Sequence, residues 1–367
     1  MKILHVSGAK GWGGNEQQLL HLIPKLNELG VQNIVFGIKD SVIQQACLSN
    51  NILFIEAKTS KLNKFKNYSY FNKCIKTQKP DVIHLHTSDS LTFFMISDLL
   101  YNHKTKAIFS KKGMGASGSF LSKLKYNYKG IHQIICVSKS VQTDFSKILT
   151  PKSIKKTIVI HDCVSSINYT ETTKINLKEL SELASKSFVV GNIANHTAAK
   201  DLETYLNAVE YIVHDLNRKD VFFVQIGEFS KLTPAFLKIV EEKKLSDHLK
   251  FMNKIPKAFT LISQFDVFLM SSQREGGPSS VLDAMQIGVP VVSTNVGVIP
   301  EVIIQGQNGF IVPVKDFKSL ALRTNELLTN EELQKQFVSL SKDIIEKNFT
   351  AEKIALQYLD VYKTLQD

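Results

Sequence analysis

Apolar and polar positions fall in alternating blocks along this chain. Short runs rich in Ile and Val, "KILHVS", "NIVFGI", "ILFIE", "DVIHLHT", "KAIFS" and "IICVS", read as buried strands. Helix-like stretches separate most of them. The first, "NEQQLLHLIPKLNELG", puts Leu19, Leu22, Ile23 and Leu26 on one face, with Gly30 marking its C-cap. A polar, threonine-rich stretch, "SSINYTETTKIN", interrupts the pattern. A second series follows: "SFVVGNI", "VFFVQIG", "LKFM", "FDVFLM", "PVVST" and "GFIVP", again with helical patterns between. Strand–helix alternation in two runs predicts an α/β chain with two parallel-sheet domains of the doubly wound, Rossmann-like type, joined near residue 165. No short-period repeat and no low-complexity segment appears.

Length and composition agree with two ordinary globular domains: 367 residues are many for one core, and 43% are apolar and 22% charged. The four cysteines, Cys47, Cys74, Cys136 and Cys163, form no CxxC pair. That argues against a zinc site or a disulfide framework and fits a reducing cytoplasm. The N-terminal apolar stretch is too short for a signal peptide, and "LTFFMISDLL" is short and broken by Asp98, so no membrane span is expected.

Charge divides the chain unevenly. Residues 1–164 hold 23 lysines against 9 acids, a net +14, while the remainder holds 22 bases against 25 acids, a net −3. Because the excess is nearly all lysine, and readers of base edges and phosphate forks favour arginine, nucleic acid is not the expected partner. A basic half facing an anionic membrane or acceptor is one reading, and a lysine-rich solvated surface is the other. The segment "SKLNKFKNYSYFNKCIKTQK" sharpens the choice. Its Lys61, Lys64, Lys66, Lys73, Lys76 and Lys79 interleave with Leu62, Phe65, Tyr68 and Phe71. It reads either as a peripheral amphipathic element on anionic lipid or as a helix packed on its own sheet.

In doubly wound folds, ligands collect at the C-terminal ends of strands, where loops meet helix N-termini. Three loops stand there. In "GAKGWGGN", Gly13 and Gly14 would let backbone N–H groups approach a phosphate, or serve only as a flexible turn. The loop is neither GxGxxG nor a P-loop, so dinucleotide or ATP binding is not indicated. In "DVIHLHTSDS", His84 and His86 are expected on opposite faces of the strand, which disfavours joint metal binding. His86 is the one placed to reach a ligand, and His84 is expected to be a satisfied core residue. In "REGGPSSVLDAM", Gly276 and Gly277 permit a tight turn between Glu275 and a helix starting near Ser279. Free N–H groups from Ser279 to Val281 would bind an anion, with Asp283 one turn further on. The alternative is a glycine turn with a capped helix.

The run "REGGPSSVLDAMQIGVPVVSTNVGVIPEVI" followed by "NGFIV" resembles the donor-site signature of retaining family 4 glycosyltransferases of the GT-B fold. "WGGNE", "DVIHLH", "VVGNIANHTAAKDLETYLNAV" and "FTAEKIALQYLDVYKTL" resemble that family's glycine loop, histidine strand, phosphate-binding strand and terminal helix, in the right order over nearly the whole chain. The resemblance implies two domains facing a cleft: residues 1–164 on the acceptor side, 165–348 binding the nucleotide-sugar, and 349–367 crossing back to the first domain. It also implies roles. Glu275 would bind hydroxyls of the transferred sugar, supported by amides around Gly276, Gly277 and Ser280, and Asp283 would bind the ribose diol. Lys200 would neutralise the diphosphate, helped by His196 or Lys10. Gly13 and Gly14 would close over the phosphates, and His86 would contact the sugar near the reacting carbon. Gly227 and the "NKIP" segment, 253–256, would lie where the base packs. No metal or other cofactor is implied, because a helix dipole and lysine take the place of a divalent ion. The expected reaction is transfer, with retention, from a nucleotide-diphosphate sugar (UDP-sugar foremost) to a lipopolysaccharide, capsule or lipid-linked glycan. The expected location is the cytoplasm, at the inner face of the membrane. Two positions depart from the pattern. Asp283 replaces the usual Glu, and Thr197 stands where an arginine is usual three positions before the lysine. The second departure leaves a catalytically silent partner subunit open. A sugar-nucleotide epimerase of GT-B shape is the third reading.

Overall fold

The computed structural model describes residues 1–11, 13–115, 118–164, 175–177, 179 and 188–366. Trp12 and all but the last two residues of the threonine-rich join lie outside the described residues. The chain divides into two compact units, Met1–Ser165 with Phe349–Asp367, and Ser166–Asn348.

The first unit holds β1 (Lys2–Ser7), β2 (Gln32–Gly37), β3 (Leu53–Glu56), β4 (Val82–Leu85), β5 (Lys106–Lys111), β6 (Gln133–Cys136) and β7 (Thr157–Val159). They form one parallel sheet in the order β3-β2-β1-β4-β5-β6-β7. The second unit holds β8 (Phe188–Ile193), β9 (Val221–Ile226), β10 (Leu249–Met252), β11 (Val267–Met270), β12 (Val291–Thr294) and β13 (Phe310–Val312), parallel in the order β10-β9-β8-β11-β12-β13. Strands such as β4, β9 and β11 are buried at every residue, as crossover helices on both faces require. That is why β11 reads as an unbroken apolar run, and β4 and β9 as apolar runs interrupted only by His84 and Gln225. Strand β7 escaped the sequence reading because it is a three-residue edge strand, only half-buried, with too little apolar pattern to register.

In both sheets the strand order reverses once, between β1 and β4 and between β8 and β11. Loops leaving the carboxyl ends of those pairs diverge and open a crevice, which marks where each unit can hold a ligand.

The helix Phe65–Gln78 takes the second of its two readings, a helix packed on its own sheet. Its Tyr68, Phe71, Cys74 and Ile75, with Leu62 before it, are buried in one cluster with Leu4, Ile34, Phe36 and Phe93. The apolar stripe that could have met lipid is therefore the core of its own sheet, and its lysines form the solvated face. Only Phe65 stands clear, 79% exposed.

The terminal helix, Ala351–Thr364, belongs to the first unit. Val164 N–H donates to the Phe349 carbonyl at 2.8 Å, and Thr350 caps the helix through its hydroxyl, which accepts from Lys353 N–H. Ile354, Ala355, Tyr358 and Tyr362 then pack with Ile3, Val82, Ile108 and Ile135, one from each of β1, β4, β5 and β6. Lys25 and Glu352 pair at 2.8 Å along the helix's contact with Gly14–Glu28. None of the helices among the described residues is long and apolar enough to cross a membrane.

Candidate active site

At the β8/β11 crossover of the second unit, two loops are tied together by backbone. Gln273 N–H donates to the Ala199 carbonyl at 2.8 Å, and the Ser271 hydroxyl donates to the carbonyls of Lys200 and Asp201. This brings Lys200, 75 residues away in sequence, to 2.5 Å from Glu275. The Ser272 hydroxyl donates to the same Glu275 oxygen at 2.6 Å, and Thr294 in turn holds the Ser272 carbonyl. Neither Gly276 nor Gly277 takes the left-handed conformation. The stringent glycine is Gly297, at φ +56°: a Cβ there would lie 2.5 Å from the Gly276 carbonyl oxygen. Gly297 thus clamps the turn from behind, and only its place in the fold reveals that.

The helix Ser279–Ile287 begins at Pro278 with no side-chain cap, so the alternative of a capped helix fails. Val281 N–H is used by the Pro278 carbonyl at 3.0 Å. The expected anion site therefore narrows to the amides of Ser279 and Ser280, which have no partner among the described residues. Uncapped amides at a helix start carry the positive end of its dipole. The Ser280 hydroxyl reaches the Ile193 carbonyl. Asp283 is only 7% exposed and has no hydrogen-bond or ionic partner among the described residues. Burial pushes its carboxyl from 3.8 up to about 7. A carboxyl held there without a donor is poor packing material and a ready acceptor for hydroxyls.

Other sequence-predicted residues surround this pair unequally. Thr197 sits just before the short turn Ala198–Lys200, and its carbonyl accepts from Lys200 N–H. His196 is not available as a helper for Lys200. Its two ring nitrogens are engaged by Thr233 at 2.8 Å and Gln225 at 2.7 Å, among Phe229, Phe236 and Phe251, and burial lowers its pKa. Gly227 is demanded by packing, since a Cβ would fall 1.9 Å from the Ala194 carbonyl oxygen. The loops after β8, β9 and β10 converge there: Asn195 accepts from Glu228 N–H, and Asn253 of "NKIP" accepts from Phe229 N–H.

In the first unit, the β1/β4 crossover carries Gly13, Gly14 and His86. Gly13 is the N-cap of Gly14–Glu28, and a Cβ on Gly14 would meet nothing, so packing does not require a glycine there. Lys10 is exposed. The two histidines do not point to opposite faces as expected. Residues two apart on a strand share a face, and the rings of His84 and His86 lie 4.0 Å apart between centroids. Register adds His5, which pairs with His84 across β1 and β4. His5 Nδ1 and His86 Nε2 are 2.9 Å apart, and His5 Nε2 meets Asn33 Oδ1 at 2.9 Å. His84 is a satisfied core residue, bonded to Tyr362 at 2.7 Å and Ser110 at 2.8 Å. One ring nitrogen from each of the three histidines lies within 4.8 Å of the other two, close enough to suggest a metal site. Yet two nitrogens on one tetrahedral zinc stand about 3.3 Å apart, and 2.9 Å between His5 and His86 is a hydrogen bond. Burial, with His84, His5 and Lys112 as further causes, holds His86 well below its usual pKa. His86 lines a small pocket with Lys112 and Asp162, themselves paired at 2.5 Å.

Two family models match the chain: "Glycosyltransferase Family 4" over residues 12–165 and "Glycosyl transferases group 1" over residues 174–343. Among curated proteins it is similar to an N-acetyl-alpha-D-glucosaminyl L-malate synthase of Bacillus anthracis, 22% identical over 77% of this chain and 74% of that one. It is also similar to the O-antigen biosynthesis glycosyltransferase WclY of Escherichia coli, 23% identical over 58% of this chain and 57% of that one. Among solved structures, Anabaena HepE in complex with UDP superposes with a TM-score of 0.81 at 18% identity, covering 99% of this chain and all of that one.

Proposed function

The chain belongs to the family 4 glycosyltransferases of the GT-B fold, and on that premise we propose that it transfers a sugar from a UDP-sugar, with retention and without a divalent metal, to a surface glycan or its lipid-linked precursor. The observation that carries this is the grouping at the β8/β11 crossover: a lysine–carboxylate pair, an uncapped helix start and a partnerless buried acid. Each fits one part of the donor. The amides of Ser279 and Ser280 and the Lys200 ammonium take the diphosphate, exchanging Lys200's contact with Glu275 for one with phosphate. Glu275, still held by Ser272, accepts from hydroxyls of the transferred sugar, and Asp283 accepts from the ribose diol. Charge-assisted contacts of this kind are worth about 1.5–3 kcal/mol each. As the sugar–phosphate bond breaks, the leaving phosphate takes the acceptor hydroxyl's proton and the new bond forms on the same face. His86 of the first unit takes part as a neutral hydrogen-bond acceptor. The choice of UDP draws on the HepE complex, and the glycan acceptor on the curated relatives' names.

Contact with anionic lipid belongs, on this reading, to the helix Phe120–Tyr126 rather than Phe65–Gln78. Phe120, Leu121 and Leu124 are 78%, 74% and 55% exposed beside the exposed Lys123 and Lys129. Apolar residues among lysines are what a peripheral anchor needs.

One observation favours a second reading. Thr197 offers no cation where the resemblance expects arginine, as a silent partner subunit would. A nucleotide-release screen of UDP-, GDP- and ADP-sugars, with and without bacterial lipid extract, separates the two. Release of UDP only with extract is expected, falling at least a hundredfold in Glu275→Ala while UDP binding by calorimetry persists. An absence of UDP-sugar binding would make it a silent subunit, and sugar interconversion without acceptor would make it an epimerase.

A further inference from the structure

We propose that His5 and Asn33 are positioning residues that hold His86 as the tautomer with its hydrogen on Nε2 and a bare lone pair on Nδ1. The inference deepens the proposed function and rests on His86 taking part in transfer. It starts from a group that cannot change role. The Val31 backbone carbonyl only accepts, and it lies 3.1 Å from Asn33 Nδ2, so that atom is the amide nitrogen. In that orientation Asn33 Nδ2 also donates to Asn27 Oδ1 at 2.8 Å. Asn33 Oδ1 is then the acceptor that faces His5 Nε2 at 2.9 Å, and His5 must carry its hydrogen on Nε2. A neutral imidazole with hydrogen on one nitrogen accepts on the other. His5 Nδ1 therefore accepts, and the donor at 2.9 Å is His86 Nε2–H.

Neutrality is supported by place: His5 is fully buried and its pKa is lowered to about 4. Groups facing this chain from neighbouring elements are His84 on β4, Lys112 after β5 and, across the pocket, His161 and Asp162 after β7. Lys112 is paired with Asp162, and His84 is committed to Tyr362 and Ser110. His86 Nδ1 makes no hydrogen bond among the described residues. The ring is thus pre-set to accept from a hydroxyl and cannot donate through Nδ1.

Histidine ring nitrogens of the 15N-labelled protein, read by two-bond correlation spectra near pH 7, test this directly. His86, assigned by the signals lost in His86→Asn, is expected as the Nε2–H tautomer, as is His5. An Nδ1–H tautomer or an imidazolium at His86 in the folded wild-type protein overturns the proposal. In Asn33→Leu, His86 should show mixed tautomers, with turnover down about tenfold and donor KM within twofold. Asn33→Asp, which keeps an acceptor for His5, should restore the Nε2–H signal. Unchanged His86 signals in folded Asn33→Leu, or altered signals with unchanged turnover, would overturn it as well. The spectra need no substrate, so failure of the tautomer assignment is distinguishable from failure of the transferase reading, which would show as wild-type protein releasing no nucleotide.

Discussion

Lys200 and Glu275 satisfy one another, whereas Asp283, a turn into the neighbouring helix, satisfies nothing. The difference has a pH signature. A carboxyl raised from 3.8 to about 7 by burial favours the fold while protonated. Its contribution is whole below pH 3.8 and is lost as pH rises through 7. Asp283→Asn should therefore gain on the parent steadily as pH rises from 5 to 7 and hold that advantage at pH 8, roughly 2–4 kcal/mol for a shift of about three units. Melting measured from pH 5 to 8 checks this, and parallel curves would refute it. On the proposed donor site, function runs the other way: ribose hydroxyls donating to Asp283 would favour the ionised form, so the same substitution should weaken nucleotide binding. His5, His84 and His86 have the opposite shift. Buried and neutral, they lose stability as pH falls below about 6.5.

Two lysine-bearing helices of the first unit differ in what lies under their apolar side. Phe65–Gln78 covers its own sheet with Tyr68 and Phe71, so its lysines are a solvated rim. Phe120–Tyr126 buries only Tyr126 and leaves Phe120, Leu121 and Leu124 outside. Membrane affinity should follow the second helix. Co-sedimentation with anionic vesicles, weakened by salt and absent with neutral ones, is the expected result. The pair Phe120→Ser and Leu121→Ser should remove it, and Lys66→Ala with Lys73→Ala should reduce it only slightly. Binding that ignores the first pair would show that charge alone is at work.

At the scale of the molecule, the chain's last 19 residues belong to the unit it began with. Phe349, Ile354, Tyr358 and Tyr362 are each at most 3% exposed, and Tyr362 also satisfies His84 Nδ1 in the core. Burying such side chains is worth about 1.5–3 kcal/mol each, and an orphaned buried acceptor or donor costs about 1–3 kcal/mol more. A chain ending at Asn348 should lose roughly 10 °C or more in the melting of the first unit, or fail to accumulate in soluble form. Unchanged melting would mean that the terminal helix only covers a sheet already stable without it. The basic half of the sequence, net +14 over residues 1–164, is thus tied by its own C-terminus to a helix that brings Glu352 against Lys25.

Periodicity is local, and what is local was legible. The two runs of apolar strands, the face of Gly14–Glu28 and the turn delivered by β11 could all be read from residues within a few positions of one another. So could the candidates Glu275, Lys200 and Asp283, once the motif was set beside a known family. What tertiary structure decided lies in pairings between distant residues. His5 meets His84 only through the β1–β4 register, and Gly297 backs the Gly276 turn only because β12 lies beside β11. An amphipathic stripe looks the same whether lipid or its own sheet covers it, so Tyr68 and Phe71 could not declare themselves as core. Likewise, no spacing shows that Glu275 shares one oxygen between Lys200 and Ser272, or that Asp283 has no partner. Burial and hydrogen-bond satisfaction depend on everything packed around a side chain, and that neighbourhood exists only once the chain has closed on itself.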